Sequence, residues 1–290
     1  MGLAGGLGGA LLVGVAPGVV AGAAVPSSPE DAVHADTARA ATSATAARQG
    51  LRSAPTDPSC NTWDDGAVTT TPAPPVPTFK RRAGRVTPTQ GDALERLWPA
   101  LGLPVGGRPL DVAAVFGRTA PLVLEIGFGM GEATATLAHA EPHRDVLAVD
   151  VHTPGHGNLL KLVEARGLTN VRVMSGDARV VLTQMLPPAS VTAVRVFFPD
   201  PWPKARHAKR RLVTRAFADL VADRLVDDGV LHVATDVAAY ADGVRAALDG
   251  HPDLRLTDDV PWRPPTRFEQ RGVRAGRPPR DIAAVRRRRA

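Results

Sequence analysis

The stretch LEIGFGMG, residues 124–131, ends an apolar run and then places glycine at every second position. The apolar run over 121–126 is predicted to be a buried strand, and residues 132–140 the helix that follows it. Glycines at such a turn let the backbone adopt positive φ and approach a ligand closely. A dinucleotide-binding loop would read G-x-G-x-x-G, whereas the spacing here is G-x-G-x-G, so no pyrophosphate site is indicated. A tight strand–helix turn without a ligand would have a similar composition, so the loop alone does not establish a function.

Short apolar strands and helices alternate on both sides of this loop. Upstream, Thr89 is predicted to cap a helix over residues 90–98, which Pro99 and Gly102 would end. Downstream, the pattern predicts strands over 146–149, 171–174, 191–198 and 229–234, and helices over 157–165, 209–226 and 237–248. This alternation predicts an α/β fold with a mostly parallel sheet and helices on both faces. Such sheets bind ligands beyond the carboxyl ends of their strands.

Three carboxylates accompany the first three strands after residue 120. Glu125 lies beside the glycine loop, Asp150 ends the next strand, where an acid can accept two ribose hydroxyls, and Asp177 follows the third. We expect all three at one rim of the sheet, where they would complement a cation and repel the phosphates of NAD or ATP. The sulfonium of S-adenosylmethionine is such a cation. Each acid taken singly fits a helix N-cap or a solvated loop charge equally well.

A stiff loop, FFPDPWPK at residues 197–204, follows the next strand. Its three prolines fix φ and pre-organise the backbone. Phe198 or Trp202 would offer a face on which a base can stack, and Asp200 would accept from the Watson–Crick edge of a guanine. The alternative is that these residues only cap the sheet.

Basic residues follow this loop and dominate the segment 263–289. Residues 204–211, KARHAKRR, carry five basic groups, which we place at a helix start, where the helix dipole disfavours cations. An RNA phosphate would compensate them, so RNA contacts are predicted for Arg206, Lys209, Arg210 and Arg211. The alternative is a solvated charged face. Residues 263–289 hold ten arginines and only two acids, and their final run, 286–289, would bind phosphate or form a disordered basic tail.

Composition and charge narrow the class of protein. The 290 residues are 44% hydrophobic and 22% charged, as in ordinary globular proteins, and the net charge of +6 favours an anionic partner. The single cysteine, Cys60, and the absence of a Cys/His zinc spacing predict a reduced cytoplasmic protein without metal. Residues 1–24 are apolar but lack Lys and Arg and are broken by Gly and Pro, so neither a signal peptide nor a membrane helix is expected. Residues 1–77 are predicted to be a disordered low-complexity extension with a proline-rich linker, and residues 78–290 a folded domain with a basic tail.

Together these motifs resemble the bacterial tRNA (guanine-N(7)-)-methyltransferase family, within the S-adenosylmethionine-dependent class I methyltransferases. The likeness runs over residues 78–271 and rests on EIGFGMG at 125–131, FFPDPW at 197–202, the basic run around 209–211, ATD at 234–236 and TRFEQRG at 266–272. It implies a seven-stranded Rossmann-like methyltransferase domain that methylates nitrogen-7 of the variable-loop guanine, position 46, of tRNA. The sequence departs from the family pattern at Asp150, where Glu is common, at Arg267, where Lys is common, and at Pro203, where His is common. None of these departures removes a carboxylate or a positive charge.

The resemblance also implies roles for individual residues. S-adenosyl-L-methionine would be held by Glu125, Gly127, Gly129, Asp150, Asp177 and Asp200, with Asp200 as the catalytic residue. The tRNA substrate would be contacted by Lys204, Asp236, Thr266, Arg267, Phe268 and Glu269.

Three other functions are open at this point. A methyltransferase for a protein or a small molecule is disfavoured by the basic surface, and an NAD-dependent dehydrogenase by the glycine spacing. A non-catalytic RNA-binding relative is disfavoured by the intact Glu125, Asp177 and Asp200. No membrane association is expected, and a monomer is favoured.

Overall fold

The computed structural model describes residues 78–79, 84–106 and 108–289, so the predictions for residues 1–77 lie outside the described residues. The strands are β1 (Gly102–Pro104), β2 (Leu122–Ile126), β3 (Asp145–Asp150), β4 (Val171–Ser175), β5 (Val191–Phe197), β6 (Leu225–Thr235), β7 (Leu254–Thr257) and β8 (Arg280–Arg286). They form one sheet in the order β1-β4-β3-β2-β5-β6-β8-β7. Neighbouring strands pair in parallel except that β8 is antiparallel to β6 and β7.

Helices cover both faces of the sheet. The α-helices are α1 (Pro88–Leu101), α2 (Val112–Phe116), α3 (Glu132–Ala140), α4 (Thr153–Ala165), α5 (Arg215–Arg224), α6 (Ala238–Leu248) and α7 (Arg267–Arg274). A helical turn at Ala178–Val180 continues as a π-helix over Val181–Met185, and Ala205–Arg210 form a 3₁₀-helix. Among the described residues, no helix is both long enough and apolar enough to cross a membrane.

Side chains of the central strands alternate between two buried faces. In β2, Leu122, Leu124 and Ile126 pack into one apolar cluster, which α5 and α6 cover, and Val123 packs into the other, which α1 and α4 cover. Strands buried on both faces have nearly continuous apolar sequences. The apolar run over 121–126, which only Glu125 interrupts, therefore predicted this strand correctly.

The strand order reverses between β2 and β5. The sheet extends from β2 to β3 and β4 on one side, and from β5 to β6 on the other. Ligands bind at such a switch point, in the crevice beyond the carboxyl ends of the strands. The glycine loop follows β2 and the aromatic loop follows β5, so the topology brings both loops to one crevice.

The sheet has eight strands, whereas the family resemblance implies seven. The additional strand is β1, a three-residue edge strand that pairs in parallel with β4. It directly follows α1, whose start also differs from the prediction. Thr87, not Thr89, caps the helix, because Thr87 and Gln90 bond reciprocally in a capping box. Pro99 lies inside the helix instead of ending it, and Gly102 is the C-cap as predicted.

The single helix predicted over 209–226 is wrong. The chain forms the 3₁₀-helix first, and α5 begins only after Thr214, whose Oγ1 accepts from the N–H of Phe217 at 3.3 Å. The helix then ends before Leu225, which is fully buried and pairs with Val191 in the sheet. The segment predicted as one helix is therefore divided into a 3₁₀-helix, α5 and the start of β6. The Thr214 cap sets the start of α5, and the burial of Leu225 in the sheet sets its end.

A disordered basic tail over 286–289 is also wrong. Arg286 ends β8, is buried, and donates to the carbonyl oxygen of Ala222 at 2.8 Å. Arg288 and Arg289 pair with Asp228 and Asp227 at 2.9 and 2.8 Å. These arginines hold the end of the described chain against β6.

Candidate active site

The glycine loop between β2 and α3 passes through left-handed backbone at every second residue. Gly127, Gly129 and Gly131 have φ of +77°, +60° and +80°, a region that residues with a Cβ rarely adopt. The N–H of Gly129 donates to Oδ2 of Asp150 at 2.7 Å, which ties the loop to the end of β3. The backbone conformation therefore explains the glycine spacing, and the loop is anchored to one of the predicted carboxylates.

A cavity of about 230 Å³ lies where the glycine loop, the end of β3 and the aromatic loop meet. Asp150, Asp177 and Asp200 line it, so the structure brings together three of the four predicted carboxylates. None of the described residues that line it is Lys or Arg. The apolar part of its wall includes Phe79, Ile126, Val149, Phe198 and Phe268. A cavity whose described lining has three Asp and no Lys or Arg suits a positively charged ligand.

Glu125, the fourth predicted carboxylate, lines a second cavity that shares Gly127 and Gly129 with the first. Its Oε1 accepts from the hydroxyl of Thr134 at 3.0 Å. Its buried Oε2 has no hydrogen-bond partner among the described residues. Burial raises the pKa of Glu125 to about 7, against the opposing effects of Arg195 and Thr134. A buried acceptor left without a partner is typical of a site that a ligand completes.

Asp150 and Asp177 have local structural roles as well. Oδ1 of Asp150 accepts from the N–H groups of Val151 and His152 at 2.6 and 3.0 Å. Burial raises the pKa of Asp150, and the three backbone N–H bonds oppose that rise. Asp177 caps the turn that begins at Ala178 and pairs with Arg179 at 2.6 Å. The helix-cap alternative is therefore correct for Asp177, although its side chain also lines the cavity.

The aromatic loop after β5 holds two bulky residues in left-handed backbone. Phe198 and Trp202 have φ of +52° and +43°, which costs of order 1–3 kcal/mol each. The N–H of Phe198 donates to the carbonyl of Ala234 at 2.8 Å, and Nε1 of Trp202 donates to the carbonyl of Thr78 at 3.1 Å. The guanidinium of Arg210 lies over the Trp202 ring, so Phe198, which lines both cavities, is the better placed of the two for stacking.

Helix α7 forms one wall of the second cavity, whose volume is about 390 Å³. Thr266 and Glu269 bond reciprocally and cap this helix. Arg267 pairs with Glu132, directly after the glycine loop, at 2.7 Å, and the half-exposed Phe268 lines both cavities. Asp236 pairs with Arg277 at 2.9 Å. Of the six predicted tRNA contacts, Thr266, Arg267 and Phe268 line a cavity, whereas Lys204, Asp236 and Glu269 line neither.

The basic run does not lie at the start of an α-helix as predicted. Lys209 and Arg210 are in the last turn of the 3₁₀-helix, where positive charge is favoured, so the dipole gives no reason for a compensating anion. Arg211 donates to the carbonyl of Pro201 at 3.0 Å and supports the aromatic loop. Lys204, Arg206 and Lys209 are exposed beside that loop. Their exposure is the feature that remains compatible with RNA contact.

Sequence reasoning missed a partly buried ionic cluster behind the aromatic loop, formed by Arg263, Asp281, His232 and Glu269. Arg263 pairs with Asp281 and with Glu269, and Nε2 of His232 donates to Oδ1 of Asp281 at 2.8 Å. Hydrogen bonds from His232 and Arg263 outweigh the effect of burial and lower the pKa of Asp281 to about 2. Its members come from three separate segments, so no local motif indicates it.

Comparison with known proteins identifies the family. The sequence matches a family described as "Putative methyltransferase" over residues 119–281. A tRNA (guanine-N(7)-)-methyltransferase of Streptomyces avermitilis is 50% identical over 214 residues, covering 71% of this chain and 74% of the relative. A protein of the same name from Nitrosospira multiformis is 50% identical over 210 residues, covering 71% of this chain and 92% of the relative. The chain belongs to the tRNA (guanine-N(7)-)-methyltransferase family.

This methyltransferase was also compared with solved structures. It aligns with an aminoglycoside resistance methyltransferase, NpmB1, at 16% identity and a TM-score of 0.40, over 57% of this chain and 87% of that one. In the part of the methyltransferase that the structure describes, no group of three or more His, Cys, Asp or Glu side chains is placed to hold a metal ion.

Proposed function

We propose that this protein transfers the methyl group of S-adenosylmethionine to nitrogen-7 of the variable-loop guanine at position 46 of tRNA. The observation that carries the proposal is the 50% identity to relatives named tRNA (guanine-N(7)-)-methyltransferase, which spans nearly all of one of them. The match to the family described as "Putative methyltransferase" covers residues 119–281, which include nearly all of the residues that line both cavities.

The chemistry of the first cavity fits S-adenosylmethionine. Asp150, Asp177 and Asp200 line it without a Lys or Arg among its described lining residues, and a buried oxygen of Glu125 close by has no partner. Asp150, at the end of β3, would accept from ribose hydroxyls, and Glu125 would attract the cationic part of the ligand. When bound, S-adenosylmethionine supplies an electrophilic methyl group on a positively charged sulfur.

The protein's own contribution is to position and stabilise the guanine. Nitrogen-7 has an in-plane lone pair, so no residue has to remove a proton before it attacks. The Phe198 ring lines both cavities and offers a stacking face between them. Asp200, two residues later on the same stiff loop, would orient the base and stabilise the positive charge that develops on the purine. Alignment of this kind can lower a barrier by several kcal/mol.

The surroundings of the site support an RNA substrate. Lys204, Arg206 and Lys209 are exposed beside the aromatic loop, and Arg267 and Arg271 line the second cavity. Arginine and lysine supply the phosphate contacts that dominate affinity for nucleic acid. We place the reaction in the cytoplasm and expect the protein to act as a monomer.

The test is methylation of a defined RNA. The purified protein is incubated with methyl-labelled S-adenosylmethionine and an unmodified tRNA transcript, and the modified base is mapped. A matched transcript with adenine at position 46 is the control. Label on nitrogen-7 of guanine 46 alone supports the proposal. Equal labelling of both transcripts, or labelling of another atom, contradicts it.

A further inference from the structure

The side chain of Arg263 contacts three different parts of the fold near the site, namely β8, α7 and the aromatic loop. Its side chain is only 6% exposed. Nε and Nη2 donate to the two carboxylate oxygens of Asp281 at 2.6 and 2.9 Å, and Nη1 donates to Oε2 of Glu269. The flat guanidinium also lies over the rings of Phe197 and Phe198, with its carbon 5.5 and 5.2 Å from their centroids. All of its donor nitrogens are therefore used at once.

These contacts reach the two protein walls of the second cavity. Oε2 of Glu269 also accepts from the N–H of Thr266 at 3.3 Å, so Arg263 holds the first turn of α7 through its cap. On its other side Arg263 supports Phe198, which stands in left-handed backbone two residues before Asp200. The bidentate bond to Asp281 fixes the guanidinium itself to β8.

We propose that Arg263 is a positioning residue that keeps the Phe198 face and the first turn of α7 at a fixed separation, so that the acceptor base lies in line with the methyl group. This inference rests on the proposed function. Arg263 lines neither cavity, so it acts through Phe198 and Glu269 and does not touch the base. A fixed separation matters because a misplacement of about 1 Å can reduce a rate roughly 100-fold.

The chemistry of the guanidinium makes Arg263→Lys an informative variant. A lysine keeps the positive charge but has no planar fork, so it cannot bond two carboxylates and stack on two rings together. The expected result is a kcat roughly 10- to 100-fold lower, with the dissociation constant for S-adenosylmethionine within about twofold of wild type. Arg263→Gln, which also removes the charge, should lower kcat at least as much.

Arg286→Lys is the matched control. Arg286 is also buried and pairs with a carboxylate, Asp253, at 3.1 Å, but it lies at the opposite end of β8 from the site. Its replacement should lower the melting temperature as much as Arg263→Lys does, with kcat unchanged well below that temperature. If both variants lose activity only in proportion to lost folded protein, Arg263 is merely structural and the proposal is overturned.

Amide hydrogen exchange tests, without a methylation assay, whether Arg263 holds both Phe198 and the first turn of α7. Arg263→Lys should speed exchange at Phe198, at Asp200 and in residues 267–271, and Arg286→Lys should not. Failure of wild-type protein to methylate tRNA would refute the proposed function, and the exchange result would still decide whether Arg263 holds both walls. Normal kcat and unchanged exchange in Arg263→Lys, with active wild-type protein, would refute the positioning role alone.

Discussion

Glu125 carries a stability cost that depends on pH. Its carboxyl is buried, and its pKa in the folded protein is about 7, above the ordinary value of 4.5 that applies to the unfolded chain. The contribution of Glu125 to the free energy of unfolding is therefore fully present below about pH 4.5. It is lost as pH rises through 7, and the protein is then about 3 kcal/mol less stable because the buried group is ionised.

We predict that Glu125→Gln gains stability relative to wild type as pH rises. The gap in melting temperature between variant and wild type should shift in favour of the variant from pH 5 to pH 8, because glutamine does not ionise. The affinity of wild type for S-adenosylmethionine should rise over pH 6 to 8, whereas that of the variant should stay flat. A melting-temperature gap that is the same at pH 5 and pH 8 would show that Glu125 does not titrate in this range.

Asp200→Ala is expected to lower the rate of methyl transfer by a factor of about 100 or more while weakening S-adenosylmethionine binding much less. The reason is that its carboxylate would act on charge that develops only during the reaction. The measurement is single-turnover transfer under saturating tRNA, together with cofactor titration. Asp259→Ala, in an exposed loop after β7, is the control and should leave both unchanged. Near-normal turnover in Asp200→Ala would remove Asp200 from the catalytic role.

At this scale the sequence was informative about residues whose positions follow from the strands. Each of the four carboxylates lies at or after the carboxyl end of a parallel strand, and these ends share one edge of the sheet. Asp150, Asp177 and Asp200 could therefore be placed at one cavity, and Glu125 lines the cavity next to it. Arg263 could not be predicted, because its partners Asp281 and Glu269 are brought to it by the pairing of β8 and by the cap of α7. An arginine in a basic stretch reads as a surface charge until those contacts are known.

Helix α4 contacts the glycine loop so closely that one added carbon would disturb it. A Cβ on Gly155, in the first turn of α4, would lie 1.9 Å from the carbonyl oxygen of Gly129. Backbone cannot yield as a flexible side chain can, so Gly155→Ala should displace the loop and weaken S-adenosylmethionine binding at least 10-fold, with a lower melting temperature.

Gly91→Ala is the control for this prediction. Gly91 lies inside α1, where an added Cβ meets only a Val86 methyl group at 3.9 Å. Alanine should stabilise that helix by roughly 0.5–1 kcal/mol and leave cofactor binding unchanged. If Gly155→Ala binds the cofactor as well as Gly91→Ala does, the loop is not held by α4.

Three basic residues are exposed in the 3₁₀-helix and at its N-cap: Lys204, Arg206 and Lys209. Replacing all three by alanine should weaken tRNA binding and flatten its salt dependence, by roughly 0.7 to 0.9 in the slope of log affinity against log salt for each lost phosphate contact. Cofactor affinity should not change, since the carboxylates are untouched. Binding measured at several salt concentrations provides the test, and an unchanged slope would mean that the three residues form only a solvated face.

Elements with strong periodicity were predicted well, and elements fixed by tertiary contacts were not. Helix α3 has the predicted bounds, β2, β4 and β5 each differ from theirs by one residue at one end, and β3 is one residue longer at both ends. The strand β8 was missed because its short apolar centre, Ile282 to Val285, lies within an arginine-rich sequence. These residues form a strand because they pair with both β6 and β7. The end of α5 was missed because Leu225 fits a helix locally and leaves it only to join the sheet.

At the scale of the whole molecule, the composition of residues 1–76 is rich in Ala, Pro, Thr, Ser and Gly. Because such a segment buries little apolar surface, its removal is predicted to leave S-adenosylmethionine binding and methylation nearly unchanged. The truncated protein should be compared with the full chain in yield, melting temperature and rate. A large loss in any of them would show that the extension contributes to the fold or to the reaction.

The antiparallel insertion of β8 between β6 and β7 imposes an order on folding during synthesis. In the described part of the chain, β7 pairs with β8 alone, so it leaves the ribosome before its partner exists. The same later segment delivers Asp281, and with it the anchor of Arg263. Residues 126–212, which supply most of the lining of the first cavity, are therefore made before α7, which adds Phe268 to both cavities, and before β8. The wall of the site that holds Arg263 in place can form only once β8 has been made, which separates the maturation of the two walls in time.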